Sequence, residues 1–350
     1  MAERVLSTRA LNRALLARQL LLERTAQSLP RALERVAGLQ TQYAPSAYIA
    51  LWSRLRGFRR EALTAALEQR RIIQATLMRA TIHMVSARDF PLLAAAIRRG
   101  RQDWWRRAQS KQLQGIDMDA VAARVHKHLA GGPRPQAQLL DVLKAEGFPR
   151  IALASAGMWV DLVRVPPSGT WEHRRADLYG LADDWLDGSK SAEAKGLEHL
   201  VRRYLVGFGP ASANDLASWA GLPVTTLRPV LARLRLRRFR DEAGGELLDL
   251  PQAPLPDPET PAPVRFLPTW DATLLAHARR TQILPEPYRS LVFNTRTPHS
   301  LSTFLVDGAV AGTWHYERSR IHLKPFGRLS TAARRELEEE AERLAAFHGD

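Results

Sequence analysis

Two side-chain amides one residue apart, Gln40 and Gln42, stand in the run Val36-Ala-Gly-Leu-Gln-Thr-Gln-Tyr-Ala-Pro45. An amide neither gains nor loses a proton near neutrality, so it cannot act as a general base. It donates through its NH2 group and accepts through its carbonyl. Such a pair does chemistry only where the substrate brings its own leaving group. One carbonyl would then orient a water while an NH2 group holds the substrate or the backbone. The bland reading is a pair of amides satisfying stray backbone groups at a helix end. Arg79 and His83 come next, because an even separation in a strand puts both on one face. Arg98-Arg-Gly-Arg101 and Trp104-Trp-Arg-Arg107, followed by Lys111, form the densest basic and aromatic cluster. Its cations Arg98, Arg99, Arg101, Arg106, Arg107 and Lys111 suit phosphates. Its two tryptophans either stack on an extruded base or, more ordinarily, pack between domains.

Other site chemistries find no support. His126 and His128 point apart on a helix, and the remaining histidines lack neighbours at ligand spacing, so neither a metal nor any other cofactor is expected. The absence of cysteine excludes disulfides and thiolate metal sites. Asp117/Asp119 and Asp183/Asp184 read as caps and loop acids, and Asp271 and Asp307 as turn-building residues that fix the terminal domain. No glycine-rich phosphate loop and no nucleophile elbow appears.

The elements that must hold these groups follow from periodicity. Leu11, Leu15 and Leu22 mark one face of a helix over 8–22. Pro30 opens a second helix that Gly38 breaks, which predicts Gln40 to Gln42 on a turn or at the start of the next helix. Helices near 47–56 and 60–70 precede a β-branched, alternating segment at 72–85 that reads as a hairpin. Three helices and a two-stranded wing make a winged helix. The pattern recurs with helices near 118–130, 135–146 and 152–163 and strands near 163–165 and 178–180. It recurs again with helices near 193–206, 211–219 and 224–235, the last expected to begin late, near Arg228, so that Pro229 falls in its first turn. Arg174 and Arg175, beside His173, mark a second wing tip, and Arg228 and Arg233 lie on a recognition-like helix that reads equally as a solvated face. Six prolines fill 251–263 as an extended connector. Strands then lead to a closing, Glu-rich helix over 330–347. The expected fold is mainly α with β wings: three tandem winged-helix units (1–112, 113–190, 191–250), the linker, and a small β-rich terminal domain with a closing helix (264–350).

Fifty-one Lys and Arg against 36 Asp and Glu leave a formal charge of +15, which points to a polyanionic partner. Arginine dominance over the six lysines can reflect codon usage, but the charge excess cannot. Nucleic acid is favoured over an anionic membrane, because no basic amphipathic helix stands apart from the core pattern. No apolar stretch is long enough to span a bilayer, and the N-terminus lacks the marks of a signal peptide; a cytoplasmic, nucleoid-associated protein is expected.

Together with Leu77-Met-Arg-Ala-Thr-Ile-His-Met-Val-Ser86, Phe266-Leu-Pro-Thr-Trp-Asp271 and Thr303-Phe-Leu-Val-Asp-Gly-Ala-Val-Ala-Gly-Thr-Trp314, the glutamine run resembles the AlkZ/YcaQ-type bacterial DNA glycosylases over roughly residues 7 to 350. These are tandem winged-helix proteins whose active site carries Gln-hydrophobic-Gln or Gln-hydrophobic-Asp. Thr41 departs from the aliphatic residue usual between the two. The resemblance implies that Gln40 and Gln42 are catalytic. It also implies that the first wing lies beside the active-site cleft, with Arg79 toward phosphate and His83 near the sugar. Asn294-Thr-Arg-Thr-Pro-His299 would be a hairpin probing the duplex through Arg296 and His299. The implied activity is hydrolysis of the N-glycosidic bond of alkylated purines in duplex DNA, including interstrand crosslinks, by one chain acting as a monomer. Lys111 is the first lysine, so no Schiff base is expected near the glutamines and no lyase step. The rival reading is a non-catalytic winged-helix regulator, which explains the charge but not a polar Gln-x-Gln between helices.

Overall fold

The computed structural model describes residues 4–186, 191–278, 280–294 and 299–349. It is a mixed α/β chain, 47% helical and 18% strand, so helices supply the frame and strands lie between them.

Local sequence sets most boundaries. Ser7 caps the helix Thr8–Arg18, its side chain accepting from the Ala10 amide. Prolines sit in the first turns of Leu29–Val36 and Pro45–Arg54, where the missing N–H costs nothing. The β-branched segment forms the hairpin Ile72–Thr76 and Ile82–Ser86, closed by the turn Met78–Ala80 with Arg79 and Ala80 in the left-handed region.

This hairpin anchors a six-stranded sheet. Its order is Leu39–Gln40, Ile82–Ser86, Ile72–Thr76, Leu162–Arg164, Leu178–Leu181, Arg134–Pro135. The first two hairpins therefore share one sheet, joined through Gln74 opposite Arg164 and Ala75 opposite Val163. A second sheet pairs Arg4–Leu6 in parallel with Arg237–Asp241, which in turn pairs with Glu246–Asp249. The N-terminal strand thus lies on the third hairpin, across the boundary expected at 112. A four-stranded sheet orders Arg265–Leu267, Thr303–Val306, Ala309–Glu317 and Arg320–Pro325, with the helix Thr331–Gly349 against its last strand. A short pair, Phe293–Asn294 and His299–Ser300, flanks residues outside the described set.

Two helices form the spine. Phe90–Ala108 packs along Glu193–Phe208, and at Gly196 a Cβ would come within 2.5 Å of the Leu92 carbonyl oxygen. Only glycine permits that approach. Leu93, Ile97, Leu200, Val201 and Tyr204 fill the interface among the buried core. Two arginine–carboxylate pairs are wholly buried. Arg18 donates to both oxygens of Asp249, and Arg54 to both oxygens of Asp271. Asp271 also accepts from the Thr273 amide; Asp307, in the left-handed region, pairs with Arg9 and Arg13. Both acids fix the terminal region, and part of the positive charge is spent inside the protein.

Two sequence expectations fail here. Gln40 lies in a strand, not on a turn or helix start. The helix Val224–Arg233 begins well before Pro229 and carries that proline inside it; its burial of Leu227 and Val230 outweighs the lost hydrogen bond.

Candidate active site

Ala37 and Gly38 both adopt positive φ at the end of Leu29–Val36. A Cβ on Gly38 would lie 2.9 Å from Val85 Cγ1, so conformation and space both demand glycine there. The turn lays Leu39 opposite Met84 and Gln40 opposite His83. Opposed residues in an antiparallel pair share a face, so the register that buries Leu39 with Met84 in one core cluster brings the amide and the imidazole together. The Thr41 amide donates to the Ile82 carbonyl at 2.8 Å, and Gln42 Oε1 accepts from the Ile82 amide at 2.6 Å. Ile82 thus pins the motif from both sides.

The hydrogen bonds fix both amide orientations. Gln40 Oε1 accepts from Arg79 Nη2 at 2.8 Å, and a guanidinium only donates. Gln42 Oε1 likewise meets a backbone N–H. Both carbonyls are occupied from within the protein, and among the described residues neither NH2 group has a partner. The free ends are donors, while each carbonyl oxygen keeps a second lone pair.

A further acceptor is supplied by His83. It is 2% exposed, and burial, reinforced by the charge of Arg79, lowers its pKa to about 3. The imidazole is therefore neutral. Its Nδ1 lies 3.0 Å from the Thr81 carbonyl, which can only accept, so the proton sits on Nδ1 and Nε2 keeps its lone pair. Arg79 is half-buried, with its pKa lowered to about 10 by burial first and then by Arg280. It remains charged at neutral pH. Its other Nη donates to the Trp219 carbonyl at 2.7 Å, and among the described residues it has no carboxylate partner. Thr41 is buried with an unpaired hydroxyl, so it occupies an aliphatic packing position.

The segment joining Leu162–Arg164 to Leu178–Leu181 reaches the same place. Arg174 donates to the hydroxyl of Tyr43, the exposed residue after Gln42, at 3.0 Å. Sequence reasoning passed over Tyr43, although its adjacency to the motif and its exposed aromatic ring were the available signal. A cavity of about 450 Å³ opens beside Arg79, lined by Ile97, Trp104, Arg107 and Leu222. Trp104 is 46% exposed, whereas Trp105 is tied by its indole N–H to Ser155 at 2.7 Å and packs in a core cluster. The helix Phe90–Ala108 carrying both escaped the sequence reading, despite Pro91 in its first turn and apolar residues at 90, 93, 94 and 97.

Other expected contacts separate. Arg101 is a correction: it is buried and donates to the Thr76 and Met158 carbonyls and to Asp161, so it ties strand to helix and is closed to DNA. Arg98 pairs with the same Asp161. Arg106 pairs with Asp103 and stacks over Trp159. Arg99, Arg107, Lys111, Arg175 and Arg228 are exposed without acidic partners among the described residues, and Arg233 lies 3.8 Å from Glu198. Arg296 lies outside the described residues; His299 is placed only as strand backbone, its side chain outside them. His315 and His322, which sequence spacing did not link, stack across neighbouring strands beside Glu317.

No curated protein sequence matches the chain. Among solved structures it is similar to the Streptomyces sahachiroi DNA glycosylase AlkZ, with a TM-score of 0.82 over 99% of this chain and 97% of that one at 19% identity. No helix among the described residues is long and apolar enough to cross a membrane. The family model for AlkZ-like DNA glycosylases matches residues 33–347, and the chain belongs to that family.

Proposed function

We propose that this DNA glycosylase hydrolyses the N-glycosidic bond of cationic N7- or N3-alkylated purines in duplex DNA, interstrand crosslinks included, and leaves an abasic site. One observation carries the reading: the motif presents two amide NH2 donors and one neutral imidazole acceptor, and among the described residues no carboxylate is bonded to any of them. An alkylated purine already carries positive charge, so its departure needs little help from a base. The enzyme has to extrude the nucleotide, hold water near C1′ and stabilise an oxocarbenium-like sugar. In this reading Gln40 and Gln42 donate to the water oxygen and to the acceptor edge of the purine, while His83 Nε2 accepts from the water. Arg79, bound to the Gln40 carbonyl, polarises that amide and strengthens its N–H donors. Forgoing a carboxylate base sacrifices roughly 10²–10⁴ in rate and restricts the enzyme to activated lesions.

Trp104 and Arg107 at the neighbouring cavity suit stacking and phosphate contact. The three helical sets with their strand pairs act as winged helices that grip the duplex from several sides, so a cytoplasmic monomer suffices. Water is the nucleophile and no lyase step follows, since neither amide contacts a lysine and Lys111 is exposed on the chain after Phe90–Ala108. The test is release of 7-methylguanine from treated duplex, and of bases from bulky and crosslinked substrates, by the wild type and by a Gln40→Ala/Gln42→Ala double variant. Release lost in the variant supports the reading. Tight binding without release from any lesion would leave only a regulator or damage binder.

A further inference from the structure

The hairpin Ala309–Glu317 and Arg320–Pro325 turns through Arg318 and Ser319, both at positive φ. That is the pattern of a two-residue turn of the kind that matches strand twist, and it fixes the register: His315 stands opposite His322, and Glu317 opposite Arg320. Alternation sorts the faces. Trp314, Tyr316, Ile321 and Leu323 pack toward the core cluster, while His315, Glu317 and His322 are exposed on the other side.

The two imidazole rings stack with centroids 4.9 Å apart and planes 11° apart. His315 Nε2 lies 3.9 Å from Glu317 Oε2, and one ligand atom from each of the three residues falls within 4.8 Å of the others. In a tetrahedral zinc site with bonds of about 2.0–2.2 Å, ligand atoms lie roughly 3.3 Å apart, so small side-chain rotations close the set. Arg320 and Lys324 share this face, and Glu317 supplies the one carboxylate of the set to offset an added cation.

We propose that His315, Glu317 and His322 form a surface site for one zinc-class divalent ion. Imidazole and carboxylate ligands suit Zn²⁺, Cu²⁺ or Ni²⁺ rather than Mg²⁺ or Ca²⁺. The ion bridges the two strands, staples the outer hairpin of the terminal sheet, and keeps a fourth position for water or an external ligand. Nothing in this site touches the glutamine pair, so the proposal is independent of the glycosylase reading.

The experiment is calorimetric titration of the untagged full-length chain with ZnCl₂ near neutral pH, with Co²⁺ absorption as a second readout. The wild type is expected to bind one ion with a tetrahedral cobalt spectrum. His315→Ala/His322→Ala is expected to lose that site, and Glu317→Gln to weaken it about tenfold or more. All three side chains are exposed, so these variants fold. Mg²⁺ should not compete. Unchanged stoichiometry and affinity in the double-histidine variant would assign the binding to other histidines and overturn the proposal, as would an absence of zinc binding by the wild type.

Discussion

Arg79 Nη2 donates to Gln40 Oε1 at 2.8 Å while its Nη1 donates to the Trp219 carbonyl at 2.7 Å. One guanidinium thus spans from the helix Ala213–Ala220 to the strand that carries the motif. In the proposed reaction Arg79 positions Gln40. Arg79→Ala should lower the single-turnover rate of base release about 10²-fold, since misplacing a reacting group costs about that much, with a smaller loss in duplex affinity. Arg79→Lys should restore little, because an ammonium lacks the planar fork. A lysine variant with wild-type rate and weakened binding would make Arg79 a simple phosphate contact.

The occupied carbonyls separate the two glutamines. Gln42→Glu keeps an acceptor for the Ile82 amide but loses its outward NH2 donor, so base release should fall if that donor serves the proposed reaction. Gln40→Glu should form an ion pair with Arg79, lose its outward donor and fall about 10²-fold. Wild-type rates in both Glu variants would argue against the donor assignment.

Thr41 is buried with an unpaired hydroxyl. Thr41→Val removes that cost while preserving shape, so chemical denaturation should show stabilisation of about 1 kcal/mol with base release unchanged. A stable but inactive Val variant would place the hydroxyl in the chemistry.

Arg174 and Arg101 should behave in opposite ways. Arg174 is exposed beside Tyr43; its replacement by Ala should reduce the slope of log affinity against log salt by about 0.9, the value for one phosphate contact, and leave stability alone. Arg101→Ala should leave that slope intact and destabilise the fold by about 1–3 kcal/mol, because it strips two buried carbonyls of their donor.

Acid should weaken the fold in a definite window. His83 falls from 6.5 to about 3 on folding, and burial lowers His277 in the same direction. Below about pH 6.5 the unfolded chain takes up protons that the folded chain refuses. Their contribution is therefore level above that pH and declines by up to ~1.4 kcal/mol per pH unit for His83 as the pH falls toward 3. Denaturation midpoints measured across the range should show a shallower decline for His83→Gln. Because no group at the motif titrates near neutrality, base release should be level from about pH 5.5 to 8.5; an acid limb near pH 6 would point to a general base.

The sequence by itself determined most of the helices and hairpins, though not the spine helix Phe90–Ala108, and it singled out the glutamine motif. Those depend on residues close in the chain: prolines in first turns, β-branched alternation, and Gly38 where φ is positive. It also carried the family resemblance that the comparison with AlkZ-like glycosylases supports. Only tertiary structure decided what each polar group does. Whether Gln40 presents its carbonyl or its NH2 depends on Arg79, which is held in turn by a carbonyl 140 positions further on. Whether Arg101 meets DNA or Asp161, and whether His315 meets His322, depends likewise on pairing across strands and helices. Local sequence sets backbone conformation through short-range sterics, whereas a side chain's free hydrogen-bonding end is whatever its distant neighbours leave unsatisfied.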